Sequence, residues 1–130
     1  MPDPAYMRVM IVDDQESMLA LLRSHLHQLG YKNLVECIDG KEALDRLLLD
    51  QSVDLIISDM YMPNLDGLAL LSAIRREAEL QQIPFIMVSS RAEEAVVKQA
   101  QKLGVNGYLM KPFSLAQFKR KVETVVAHLD

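Results

Sequence analysis

Three aspartates, two serines and a lysine stand at the ends of apolar runs in this chain: Asp13-Asp14, then Asp59, then Ser89-Ser90, then Lys111 followed by Pro112. A carboxylate can attack phosphorus, grouped carboxylates can hold a hard cation, and a lysine with a hydroxyl can neutralise and orient a phosphoryl group. Two adjacent carboxylates directly after a buried strand repel each other, by about 4 kcal/mol per pair at ~4 Å in an effective dielectric near ~20. A bound cation would offset that repulsion. Asp59 adds a third carboxylate from another strand end, and three oxygen donors with open water positions suit Mg²⁺. Each residue also has a plain structural reading. One of the acidic pair can cap the helix that starts near Glu16. Asp59 can be an ordinary loop acid, and Ser89 a turn or cap hydroxyl. Lys111 can be a surface lysine before a helix-starting proline, or the Lys111-Pro112 bond can be cis and so fix where the lysine points. The grouping, more than any one member, points to phosphoryl chemistry.

The elements that must position these residues alternate along the chain. Arg8–Val12 is a near-continuous apolar run, as expected of a strand covered on both faces. Met18, Leu19, Leu22, Leu26 and Leu29 recur at helical spacing, and Gly30 supplies a stop. A second strand is expected over 34–38, and Asp39-Gly40 reads as a turn before a helix whose stripe is Ala43, Leu44, Leu47 and Leu48. A third strand spans 53–58, residues 63–67 form a loop, and Leu68, Leu71 and Ile74 are the buried face of a third helix. Strand four covers 84–88. A helix over about 92–103 buries Val96, Ala100 and Leu103, and Gly104 ends it. Residues 108–110 make strand five, and Leu115, Phe118, Val122, Val125 and Leu129 line one face of the last helix. Strands alternating with helices in this way predict an α/β sandwich with right-handed crossovers over both faces of a parallel sheet. In such a sheet all four polar run-ends emerge at the same edge, where open α/β sheets bind ligands.

A chain of 130 residues is expected to form a single domain over 1–130, with no separate output domain. No stretch approaches the roughly 18 consecutive apolar residues of a spanning helix, and residues 1–7 lack a signal pattern, so a cytoplasmic protein without membrane insertion is expected. Cys37 is the only cysteine, which excludes an intramolecular disulfide. Acidic residues outnumber basic ones by 18 to 14, which argues against nonspecific nucleic-acid binding. Met10, Met87 and Met110 lie in strand runs and read as core filling. His25 and His27 are two apart on a helix and do not face each other, which disfavours a metal pair. Lys119, Arg120 and Lys121 read as a solvated helix surface, with a partner contact as the alternative.

The pair Asp13-Asp14, Asp59 with Pro63 and Gly67 downstream, Ser89 at its strand end and the segment from Gly107-Tyr108 to Lys111-Pro112-Phe113 resemble the receiver domain of bacterial response regulators. The order and spacing match over nearly the whole chain, nearest to the single-domain, CheY-like group. The resemblance implies a flavodoxin-like (βα)5 three-layer sandwich whose five-stranded parallel sheet has the order 2-1-3-4-5. It implies that Asp59 takes a phosphoryl group from the phosphohistidine of a sensor histidine kinase or phosphotransfer protein. Asp14 and Asp59 would ligate Mg²⁺ with the Tyr61 carbonyl, Asp13 would act through water, and Lys111 would pair with the phosphoryl oxygens. Ser89 would swing in to hydrogen-bond them and Tyr108 would turn inward. That movement would alter the face of the fourth helix, fifth strand and fifth helix for a downstream target, with chemotaxis or flagellar motor control favoured.

The same resemblance implies a phosphoacceptor that takes part in its own phosphorylation and slow dephosphorylation, with a phosphatase as a further partner, and not a conventional enzyme. A phosphorelay intermediate, a receiver from a longer regulator and a phosphate-independent interaction module are alternatives within the class. Two features depart from the common pattern. Ser89 stands where threonine is more frequent, and Tyr61, two residues past the acceptor, can overhang the phosphoryl group and hinder water; Ser90 is small and leaves the pocket open. A haloacid dehalogenase-like hydrolase would need a second aspartate where Tyr61 stands. A flavodoxin-like cofactor binder would need a Gly-, Ser- and Thr-rich loop in place of Asp13-Asp14-Gln15-Glu16, which repels phosphate.

Overall fold

Strand and helix alternate from end to end in the computed structural model, which describes residues 2–91 and 93–129. The elements are β1 (Arg8–Val12), α1 (Glu16–Gln28), β2 (Asn33–Cys37), α2 (Gly40–Leu49), β3 (Leu55–Asp59), α3 (Gly67–Arg76), β4 (Phe85–Ser89), α4 (Glu94–Lys102), β5 (Gly107–Met110) and α5 (Leu115–Val126). A single 3-10 turn, Pro4–Tyr6, precedes them. The strands form one parallel sheet of order β2-β1-β3-β4-β5. The chain therefore leaves β1 towards one edge and returns past it to β3. The carboxyl ends of β1 and β3 lie side by side where the strand order reverses, the place such sheets use for ligands.

Alternation along each strand sends side chains into two cores. Val9, Ile11, Leu55, Ile57, Ile86 and Val88 meet Leu19, Leu22 and Leu26 of α1 and Phe118, Val122 and Val125 of α5 on one face. Met10, Val12, Ile56, Phe85 and Met87 meet Ala43 and Leu47 of α2 and Leu70, Leu71 and Ile74 of α3 on the other. Burial of each large apolar side chain contributes about 1.5–3 kcal/mol, which is what holds helices to both faces of the sheet. Met10 and Met87 are core filling as expected, whereas Met110 is partly exposed on the edge strand. His25 packs against Phe113 and Phe118, with ring centroids 6.0 and 5.5 Å away.

Several boundaries move by a residue or two, each for a reason of pairing. The β2 ladder ends at Cys37, opposite Val12, so Ile38 falls in the turn and is exposed. β3 starts at Leu55 because Asp54 is occupied with Arg8, whose N–H donates to Asp54 Oδ2 at 2.8 Å. At their other ends β3 and β4 run one residue beyond the apolar stretch, since Asp59 pairs with Val88 and Ser89 with Met110. In α2 the stripe is Ala43 and Leu47, with Leu44 partly covered; Leu48 lies a further 100° round the helix and is exposed. Leu70 joins the buried face of α3, while Leu68 is only partly covered. α4 begins at Glu94, with Glu93 at the N-cap position but making no side-chain cap bond, and buries only Ala100 fully; Ala92, the expected start, lies outside the described residues. Leu129 packs on the core from beyond the end of α5. Gly30 and Gly104 end α1 and α4 with φ of 96° and 86°, left-handed values that glycine adopts without strain.

Candidate functional site

The reversal of strand order brings Asp13, Asp14 and Asp59 together, with one carboxylate oxygen from each lying within 4.8 Å of the others. Asp13 follows β1 directly, and its N–H still donates to Cys37 O at 3.1 Å, so its side chain is carried inward. It is 1% exposed. Asp13 Oδ1 accepts the Gln15 N–H at 2.9 Å, while Oδ2 is buried without a hydrogen bond. Asp14 is exposed. Neither acid is the helix cap that one reading allowed: the N-cap of α1 is Gln15, which makes no side-chain cap bond. Asp59, 8% exposed, is the last residue of β3.

Lys111 reaches the cluster from the end of β5. Its Nζ donates to Asp59 Oδ1 at 2.9 Å and stands 3.5 Å from Asp13 Oδ2. The backbone helps to hold it there, because the Lys111 N–H donates to Ser89 O at 2.8 Å. The Lys111-Pro112 bond is cis, and Pro112 does not start a helix: α5 begins at Leu115 behind a reciprocal cap between Ser114 and Gln117. Burial raises the carboxyl of Asp59 above the ordinary carboxylate value, with Lys111 opposing it. Burial likewise raises Asp13, helped by Asp59 and Asp14 and opposed by the Gln15 N–H and Lys111. Three carboxylates gather around a single ammonium that pairs with two of them, and one buried oxygen, Asp13 Oδ2, has an ion-pair contact but no hydrogen bond. That arrangement favours a hard cation with oxygen ligands, and the donor set fits Mg²⁺.

Ser89 is fully buried, and its hydroxyl accepts the Arg91 N–H at 3.1 Å, the local turn role that its type allowed. The Tyr108 ring is partly buried, and its hydroxyl donates to Arg91 O at 3.1 Å. Tyr61 is 39% exposed at the rim, with the Arg91 guanidinium 5.0 Å above its ring. Arg91 thus touches Tyr61, Ser89 and Tyr108. Sequence reading missed it, since a lone arginine two residues beyond a strand carries no signal of its own. It also missed the bond from Asn64 Nδ2 to Asp39 Oδ2 at 2.7 Å, because Asp39-Gly40 registered only as a turn.

Comparison with known proteins places this geometry among relatives. The family description "Response regulator receiver domain" matches residues 9–123. The chemotaxis protein CheY1 of Helicobacter pylori is 34% identical over 124 residues, 95% of this chain and 100% of that protein. The chemotaxis protein CheY-3 of Vibrio cholerae is 35% identical over 123 residues, 95% of this chain and 94% of its own length. Among solved structures, Vibrio cholerae CheY4 superposes with a TM-score of 0.83 at 27% identity, covering 92% of this chain and 98% of that one.

Proposed function

Because the chain belongs to the response regulator receiver family, we propose that Asp59 accepts a phosphoryl group from the phosphohistidine of a sensor histidine kinase or phosphotransfer protein. The observation that carries this reading is Lys111 Nζ held 2.9 Å from Asp59 Oδ1 in an acidic cluster whose members Asp13 and Asp59 are buried. One carboxylate oxygen of Asp59 is engaged by the ammonium, and the other is the nucleophile. It forms the new O–P bond as the N–P bond of the donor breaks, and the imidazole nitrogen keeps the electron pair. Asp13, Asp14, Asp59 and the Tyr61 carbonyl would hold Mg²⁺, Asp13 through water. Held by those residues, such an ion would supply charge neutralisation for the phosphoryl oxygens. Lys111 keeps the incoming group oriented by a charge-assisted hydrogen bond.

The switch follows from what Ser89 does with its hydroxyl. Its present acceptor role to Arg91 leaves the O–H proton free to reach a phosphoryl oxygen, and Arg91 links that movement to Tyr108. Charge-assisted bonds contribute about 1.5–3 kcal/mol each. Two approach the ~5.5 kcal/mol that inverts a 1:99 equilibrium. The surface so altered is that of α4, β5 and α5, where Tyr108, Met110, Arg120 and Lys121 line a groove. A target protein docking there, in a chemotaxis-type pathway in the cytoplasm, suits this surface. Among the described residues no helix is long and apolar enough to cross a membrane.

Incubation with acetyl phosphate should add one phosphoryl group by intact mass only with Mg²⁺, and none to Asp59→Asn. Absence of any gain in wild type under both conditions would remove the phosphoacceptor reading. Tyr61, steadied by Arg91, shields the acyl phosphate from water. Tyr61→Asn should therefore shorten the phosphoryl lifetime about tenfold, equivalent to about 1.4 kcal/mol of barrier. An unchanged lifetime in a decay assay would show that the ring is no shield.

A further inference from the structure

We propose that Asn64 and Asp39 are positioning residues for the loop that follows the phosphoacceptor, holding the Tyr61 carbonyl where a divalent cation meets it. The proposal rests on the proposed reading of Asp13, Asp14, Asp59 and the Tyr61 carbonyl as a cation site. The loop, residues 60–66, leaves β3 directly after Asp59 and is fastened at two places. Its neck is closed by Met60 N–H to Val88 O at 2.9 Å and Gly67 N–H to Met60 O at 2.8 Å. Its tip is gripped by α2: Asn64 Nδ2 donates to Asp39 Oδ2 at 2.7 Å, and Gly40 N–H donates to Leu65 O at 3.2 Å. Tyr61 lies between the two fastenings, and among the described residues its carbonyl accepts no backbone hydrogen bond. The direction of that carbonyl is therefore set by the ends of the loop.

The tip shows how specific the grip is. Asn64 has φ of 67°, the only left-handed non-glycine backbone among the described residues. Asparagine tolerates that conformation better than most residues, and from it the amide reaches back to Asp39. Asp39 serves two partners with one carboxylate, since Oδ1 accepts the Glu42 N–H at 2.8 Å and caps α2 while Oδ2 holds the loop. Those two donors, Glu42 first and then Asn64, keep its carboxyl below the usual range, so at neutral pH it is an ionised acceptor. A β-carbon on Gly40 would overlap the Leu65 carbonyl oxygen, so helix and loop meet at their closest possible approach. Groups that orient metal ligands from behind typically change affinity by about 10–100-fold when removed.

The test is Mg²⁺ affinity by isothermal titration calorimetry on the whole chain, with folding checked by circular dichroism. Asn64→Gly keeps the left-handed backbone and deletes only the amide. It should weaken Mg²⁺ about tenfold, the low end of that range. The double variant Asp39→Asn/Asn64→Asp exchanges donor and acceptor, keeps a capping oxygen and the net charge, and should restore binding. An Asn64→Gly affinity equal to wild type would overturn the clamp whatever happens to the melting temperature. Failure of the exchange to restore binding would overturn it too. Folded wild type that binds no Mg²⁺ would overturn the underlying cation-site reading, an outcome distinct from loss in the variant alone.

Discussion

Lys111→Ala should lower the unfolding free energy of the Mg²⁺-free protein by about 3 kcal/mol, the low end of the cost of removing one partner from a buried ion pair. The ammonium is the one cation within ion-pair distance of Asp59 and Asp13 among the described residues, and its side chain is only 16% exposed. Without it, three grouped carboxylates face one another in a site that burial already makes costly for charge. The loss should depend on pH with a definite sign. Burial raises the carboxyls of Asp13 and Asp59 in the folded state, Lys111 opposes that rise, and its removal lets them rise further. A carboxyl raised on folding binds its proton more tightly in the folded protein, so the destabilisation is complete above the folded-state pKa and fades as pH falls through it. Urea denaturation of both proteins in a chelator should therefore show a larger gap at neutral pH than in mild acid, and a gap narrowed by millimolar Mg²⁺ at neutral pH. A gap indifferent to both would mean that Lys111 acts through the packing of its methylene stem.

Gly67→Ala should cost about 3 kcal/mol, the upper end for overpacking a close-fitted site. An added β-carbon would stand 2.6 Å from Asp59 O, 2.6 Å from Met87 Sδ and 3.0 Å from Met60 Cα. The methionine sulfur can move. The other two atoms are backbone at the end of β3, so relief requires shifting the strand end that carries the nucleophile. Alanine is the better helix former by about 1 kcal/mol, and Gly67 opens α3, so local propensity works in the opposite direction. Urea denaturation reads the net effect, and acetyl phosphate labelling reads the displacement of Asp59; both should fall together. A variant as stable as wild type would show that the neck between β3 and α3 yields without cost.

The acidic pair, Asp59 and Lys111 were legible in the sequence because each ends an apolar run, and run-ends of a parallel sheet share an edge whatever the loops between them do. Continuous apolar runs and helical spacings, being local, also carried the alternation of elements and most of the buried stripes. Other features depended on residues far apart in the chain. Which atom takes which hydrogen bond is decided by placement across the sheet: Asp13 serves Gln15 and faces Lys111 instead of capping α1. Ser89 and Tyr108 both converge on Arg91, a residue unremarkable by type. Ile38 was expected to end the second strand and Leu48 to join the apolar stripe of the helix after it, yet the strand pairing stops one residue short of the first and the helix turns the second to solvent. The grip of Asp39 on Asn64 spans 25 residues, and no local pattern marks it. Sequence by itself determined which chemical groups reach the common edge, because strand ends are local facts. Tertiary structure alone decided how those groups are partnered and held, because hydrogen bonds and close backbone approaches exist only once β1, β3, β4 and the loops beyond them lie side by side.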